Sequence, residues 1–264
     1  MTRWLTQGDH AYWVVFLAVF FGVAIWESVY PLRPLNSSPS RRWGNHALLF
    51  VVCASIQTIF VRLIPVGVAG LLQGSRLGLL HHANFPFAVQ CLITILVLDL
   101  LQYWAHRIFH SYCTLWRVHE VHHSDPDYDI STATRFHPLE VLPSQALRLL
   151  AVVLLGAPAI AVLIDQAIGM IFNFAEHANA AFPPKMEALL RTIFITPDLH
   201  RIHHSQEKSE QSSNFGQTFS LWDRAFGTFC PQAKAWPIVT GVKRPHAAAL
   251  SLGGLLSAPF QPRK

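Results

Sequence analysis

The chain has 264 residues, 52% of them hydrophobic and only 13% charged, with a mean hydropathy of +0.31. A soluble domain carries about 25% charged residues, so the composition excludes disorder and an ordinary soluble globule. The net charge of +5 comes from basic residues scattered outside the apolar stretches, which argues for anionic lipid headgroups and against nucleic acid.

Four apolar regions follow one another. Residues 11–26 carry no charge. They read as an anchor rather than a cleavable leader, because the flank lacks a strong basic segment and Glu27-Ser28-Val29-Tyr30-Pro31 is a poor cleavage site. Residues 47–61 are also uncharged, with apolar character resuming after Arg62 to about residue 72; residues 83–98 form the third run. The fourth, 149–164, continues past Asp165 to about residue 175 and is broken by Gly156-Ala157-Pro158. With its flanks, each region reaches the roughly 20 apolar residues a membrane helix needs. The break in the fourth predicts a helical hairpin, two short helices entering and returning.

The loops orient these spans. Arg33, Arg41 and Arg42 follow the first, whereas only Arg76 follows the second. Positive-inside reasoning puts residues 31–45 in the cytoplasm and 73–85 outside. The third span then ends in the cytoplasm near His106, and the hairpin returns His177 to the same side. The expected fold is all-α, multi-span membrane helices with a cytoplasmic helical cap. The expected divisions are 1–85 for the N-terminal helices, 86–235 for a catalytic domain and 236–264 for an irregular tail or surface helix. Trp4, Trp13, Trp26, Tyr30 and Trp43 read as an interfacial aromatic belt. The cysteines Cys53, Cys91, Cys113 and Cys230 form no CxxC pair and read as reduced.

The fifteen histidines equal all acidic residues together. Three groups stand out: His106 with His110, His119 with His122 and His123, and His200 with His203 and His204. Spacings of three and four put imidazoles on one helix face, and His177 adds another on the hairpin's return. Nine nitrogens exceed one tetrahedral zinc and suit two borderline transition ions with room for a small molecule between them. Asp99, Tyr103, His106 and His110 form one stripe. A carboxylate there is costly without a partner, so Asp99 is expected to accept an N–H from a ligand imidazole and fix its tautomer. Asp198 and Asp223 are weaker candidates of the same kind. His10, His46, His81, His82 and His246 read as interfacial or solvated.

The ordered series Asp99-x-x-x-Tyr103-x-x-His106-Arg107-x-x-His110, His119-x-x-His122-His123 and His200-x-x-His203-His204 resembles the fatty acid hydroxylase / sterol desaturase superfamily. Arg135-Phe136-His137-Pro138-x-Glu140, Asn173-x-x-x-His177-x-Asn179, Thr196-Pro197, Asn214-Phe215-Gly216 and Trp222-Asp223-x-x-Phe226-Gly227-Thr228 extend the match to about residues 90–230. The resemblance implies a membrane-integral, non-haem di-iron oxidoreductase that uses dioxygen to hydroxylate or desaturate a lipid. The nine histidines would hold two irons at the cytoplasmic face, with no catalytic residue beyond the ligands, and zinc could replace iron in purified protein. Asn173 stands where some fatty-acyl members have histidine, which implies an amide or water ligand at one iron and leans the chain towards the sterol-desaturase-like branch. His137 is expected outside the ligand set, in a hydrogen-bonding or substrate-facing role. With no GxGxxG, CxxC or haem signature in the chain, electrons would come from a separate ferredoxin or cytochrome with its reductase.

Two rivals use the same residues. His119-Glu120-Val121-His122-His123 formally matches HExxH, the signature of a zinc metalloprotease with Glu120 as base, but it leaves most of the histidines unexplained. A non-enzymatic metal-binding or transport protein would call for ligands along a path through the bilayer, whereas these gather at one side.

Overall fold

The computed structural model describes residues 2–60, 65–75, 77–243 and 251–262, with side chains in the first segment from 13 to 57. Expectations for Arg62, Arg76 and His246 lie outside the described residues, and those for Trp4 and His10 fall on side chains that are not described. Helices α1 (Thr2–Val29), α2 (Pro39–Phe60), α3 (Pro65–Leu72), α4 (Phe87–Ser111), α5 (Cys113–His123), α6 (Pro138–Leu155) and α7 (Ala159–Glu176) make up the first two-thirds of the chain. Short helices α8 (Pro184–Leu190), α9 (Pro197–His203), α10 (Lys208–Gln211), α11 (Leu221–Ala225) and α12 (Leu252–Ser257) follow. The described residues contain no strand, only isolated bridges joining Phe194 to Phe219 and Ser205 to Thr240.

Among the described residues, α4, α6 and α7 are long and apolar enough to cross a membrane, and Trp13–Val29 within α1 is a shorter apolar stretch. This is an integral membrane protein. At 1.5 Å per residue, the 18 residues of α6 and of α7 span about 27 Å each, close to the ~30 Å hydrocarbon core. Phe21, Ile25, Leu92, Leu150, Leu154 and Leu163 point outward on these helices, as side chains facing lipid do. Within the second apolar region α2 runs to Phe60, and α3 opens at Pro65, whose missing N–H suits a first turn.

The expected hairpin is α6 and α7. His137 caps α6, its side chain accepting from the Leu139 amide, and Pro138 occupies the first turn, where its missing N–H costs nothing. Gly156 ends the helix in the left-handed conformation at φ 66°. The loop before α4 packs onto this turn so closely that a Cβ at Gly78 would lie 2.1 Å from the Gly156 nitrogen. Arg148 of α6 pairs with Asp165 of α7, so the two charges inside the apolar hairpin satisfy each other.

Both ends of the hairpin, the end of α4 and the α1–α2 loop meet one cap. There the arginines that suggested orientation have a second role. Arg42 is 3% exposed and pairs with Asp125 and Asp129, while Arg33 donates to Ile238 O and Thr240 Oγ1. His46, expected to be interfacial or solvated, is instead buried, its Nδ1 donating to Ser131 Oγ and its Nε2 accepting from Arg135. In the region expected to be an irregular tail or surface helix, residues 251–262 carry α12 and dock against the body of the chain. Leu255 is fully buried against Leu49, Cys53 and Val121, and Arg117 donates to Gln261 O. All four cysteines are free.

Candidate metal centre

The nine histidines converge from four elements. His106 and His110 end α4; His119, His122 and His123 end α5; His177 caps α7; and His200, His203 and His204 end α9. They divide into two sets, His106, His110, His119, His123 and His203 in one and His122, His177, His200 and His204 in the other. Within each set the candidate ligand atoms all lie within 4.8 Å of one another. Each HxxHH helix end supplies both. His119 and His123 enter the five-membered set and His122 the other, whereas His200 and His204 enter the four-membered set and His203 the first. Helical geometry explains the split, since i+4 lies about 40° round the axis from i and i+3 lies about 60° the other way. The sets abut, with the His123 and His204 rings stacked at 4.2 Å.

The tautomers fit a bound cation. His106 Nδ1 donates to Phe215 O at 2.9 Å, and His119 Nδ1 donates to Glu140 Oε1 at 2.7 Å. Each Nε2 therefore carries a lone pair, yet the two Nε2 atoms sit 3.1 Å apart. Two lone pairs facing each other cannot form a hydrogen bond. A metal bound to both, with Zn–N-like bonds of about 2.0–2.1 Å, brings neighbouring nitrogens to about this separation. The contacts His123–His119, His177–His122 and His200–His177 repeat the 3.1 Å Nε2···Nε2 spacing. His110, His203 and His204 bury Nε2 atoms with no partner at all, which an apolar surrounding does not tolerate without a ligand. The donor set fits two transition ions.

Burial also keeps the cap imidazoles neutral. It holds His122, His123, His200 and His204 well below the usual histidine range, and crowding by neighbouring imidazoles adds to this. Burial brings His177 down to about 4 and His203 to about 3, even though their hydrogen bonds to Asn173 and Ser213 pull the other way. Neutral imidazole is the form that binds metal.

Several supporting residues sit elsewhere than the sequence suggested. Asp99 touches no imidazole; it accepts from Trp222 Nε1 at 2.7 Å and from the Thr218 amide. The stripe on α4 sets a face, but the partner on that face comes from the chain near α11. Asp198 pairs with Arg201. The Asn173 side chain donates to Ala133 O, and it is the Asn173 carbonyl that takes the His177 Nδ1 proton, at 2.6 Å. His137 caps α6 and donates to Leu256 O. Tyr103 bonds Thr228 Oγ1, which donates to Asp223 Oδ1 at 2.6 Å.

Asp223 acts one step behind the histidines. It accepts from the Phe215 and Gly216 amides, holding the loop whose Ser213 and Phe215 carbonyls fix His203 and His106. Burial pushes its carboxyl up to about 6. Gly216 lets the loop close, because a Cβ there would meet Phe219 O at 2.5 Å. Asn214, at φ 51°, clamps the same loop to Leu199 O and Cys230 O.

Sequence reasoning missed two carboxylates. Glu140, quoted within a motif but given no role, orients His119. Glu176 lies buried beside the four-membered set, with Oε1 3.8 Å from His200 Nε2. Its position next to His177 was the available signal. Glu120 belongs to neither set, and both HExxH histidines share the five-membered set with three others, so the protease arrangement is not favoured.

The model for the family described as "Fatty acid hydroxylase" matches residues 91–228. Over 237 residues the chain is 31% identical to ornithine lipid hydroxylase OlsE of Rhizobium tropici, covering 83% of this chain and 68% of that protein. It is 30% identical to alkylglycerol monooxygenase of Danio rerio over 58% of this chain, and spans about a third (33%) of that longer protein. With methylsterol monooxygenase 2-2 of Arabidopsis thaliana the identity is 28%, covering 76% of this chain and 74% of the relative. No solved structure matches the chain.

Proposed function

The chain belongs to the fatty acid hydroxylase family, and from that membership we propose that it is a membrane-bound di-iron oxidoreductase that uses dioxygen and external electrons to hydroxylate or desaturate a lipid. One observation carries the metal reading: Nε2 lone pairs of His106 and His119 facing each other at 3.1 Å inside a buried histidine cage. His106, His110, His119, His123 and His203 hold one iron, and His122, His177, His200 and His204 hold the other. Bound iron supplies the activation of dioxygen that an unactivated C–H bond requires.

The chain's own residues supply the rest. Glu140 and the Phe215, Ser213 and Asn173 carbonyls fix which nitrogen of four imidazoles points inward. The cap excludes water, since seven of the nine histidines are buried and His106 and His110 pack against Phe215, His110 also against Trp116. The apolar outer faces of α4, α6 and α7 offer a lipid a path to the cage within the bilayer. Electrons arrive from a separate ferredoxin or cytochrome with its reductase, which fits a cage on the cytoplasmic side, beside Arg33, Arg41 and Arg42.

The test is metal analysis together with mass spectrometry of lipid extracts, with and without active protein. Two irons per chain and a lipid gaining one oxygen, or losing two hydrogens, are expected. An iron-loaded protein with a reducing partner that changes no lipid overturns the oxidase reading. Glu120→Gln should keep both metal and lipid oxidation, and retention of both excludes a protease that uses Glu120 as its base.

A further inference from the structure

A cavity of about 570 Å³ opens where α1 ends and α2 begins, against the cap. Its wall is mixed. Leu35, Trp43 and three prolines (Pro31, Pro34 and Pro39) give the apolar part, and Glu27, Asp129, Arg33 and Asn179 are the groups with charge or strong polarity. Most of that polarity is already spent. Both Asp129 oxygens are occupied, Oδ1 by Ser131 and Oδ2 by Arg42 and Trp43 Nε1. Arg33 turns both terminal nitrogens onto Ile238 O and Thr240 Oγ1.

One strong acceptor faces the cavity. Glu27, 8% exposed, takes the Ile130 and Asn179 amides on Oε2 alone, so Oε1 carries no hydrogen bond at the cavity. The Asn179 side chain is turned the other way, donating to Arg33 O. With Arg33 drawn towards Ile238 and Thr240, the open carboxylate oxygen beside an indole face favours a positively charged N–H donor.

The cavity is also well placed. Its rim is the end of an apolar helix, at headgroup level. Its inner wall backs onto the four-histidine set, since Asn179 lies two residues past His177 and Asp129 follows Tyr128, whose ring packs on His177 and His204. We propose that this cavity seats an ammonium group carried by a lipid headgroup, a binding step that fixes which carbons of the lipid reach the histidine cage. The assignment rests on the lipid-oxidising reading above and narrows it to amine-bearing lipids.

Calorimetry on the iron-loaded protein in neutral detergent, without reductant, tests it with short-chain phosphatidylethanolamine, short-chain phosphatidylglycerol and free ethanolamine as probes. The amine lipid should bind at least about ten-fold tighter than the anionic one, one factor of ten being 1.4 kcal/mol. Free ethanolamine, without the apolar body, should bind more than ten-fold weaker than the amine lipid. Glu27→Gln, which keeps an oxygen for the two amides, should erase the lipid preference and leave iron content unchanged. Leu35→Trp, which fills the cavity from its apolar side, should weaken both lipids. Equal binding of the two lipids by the unaltered protein overturns the proposal, as does free ethanolamine binding as tightly as the amine lipid. A preference that survives both variants overturns it as well. No turnover is involved, so a failed binding preference leaves lipid oxidation standing, and failed oxidation leaves the preference measurable.

Discussion

The two histidine sets are built to different degrees of rigidity. In the five-membered set, His106, His119 and His203 each have Nδ1 tied to a fixed acceptor, one of them the Glu140 carboxylate. In the four-membered set only His177 is tied, through a backbone carbonyl, while His122 and His200 bury Nδ1 atoms without a partner, as His123 alone does in the five-membered set. Outer partners orient a ligand and raise its basicity, so the five-membered set is the better prepared site and the four-membered set the more labile one. The place where the cage is least held also adjoins Glu176 and the α1–α2 cavity.

Removing a ligand breaks the comparison most strongly. His119→Ala should abolish lipid oxidation and remove the iron of the five-membered set, and His122→Ala should do the same at the other set; metal analysis on each variant checks this. Normal iron loading in both would refute the ligand assignments. Glu140→Gln should cost about 10–100-fold in metal affinity, the usual effect of losing an outer partner. Asn173→Ala should change affinity by only a few-fold, because the backbone carbonyl that holds His177 remains. Equal losses in those two variants would erase the distinction between the sets. A graded chelator series should empty one iron before the other, the four-membered set first, followed by the change in the iron spectrum.

Acid tests the burial of the cage rather than the difference between its two halves. In the metal-free fold, His177 and His203 titrate near 4 and 3, against about 6.5 in an unfolded chain. Above pH 6.5 neither state binds the proton, and these residues contribute no pH dependence. Between about 6.5 and 4 the unfolded chain takes up protons that the fold excludes, so stability falls as pH falls. The slope is at most about 1.4 kcal/mol per pH unit for each such histidine. Tm of stripped protein at pH 7.5 and pH 5 measures it, and a Tm that rises on acidification would contradict the buried neutral cage.

Much of this was legible from residue order. Apolar runs, the Gly156 break and three histidine groups imply membrane helices, a hairpin and a cage at one end, since periodicity and spacing act within a single helix. Asp99 shows where such reasoning stops: a stripe on α4 defines a direction, but Trp222, more than a hundred residues away, is what occupies it. His46 reads as solvated because nothing nearby announces Arg135 and Ser131. Glu140 sits in a quoted motif, yet the imidazole it orients lies 21 residues upstream on another helix.

The sequence by itself determined an oily helical chain with nine convergent imidazoles, because hydrophobic burial and helical spacing are local properties. Only the tertiary structure decided how those nine divide. His119 and His123 go one way and His122 the other, with the reverse on α9, because two helix ends meet as ridges between two sites. The lone pairs that face each other at 3.1 Å come from His106 on α4 and His119 on α5, and no single helix contains them.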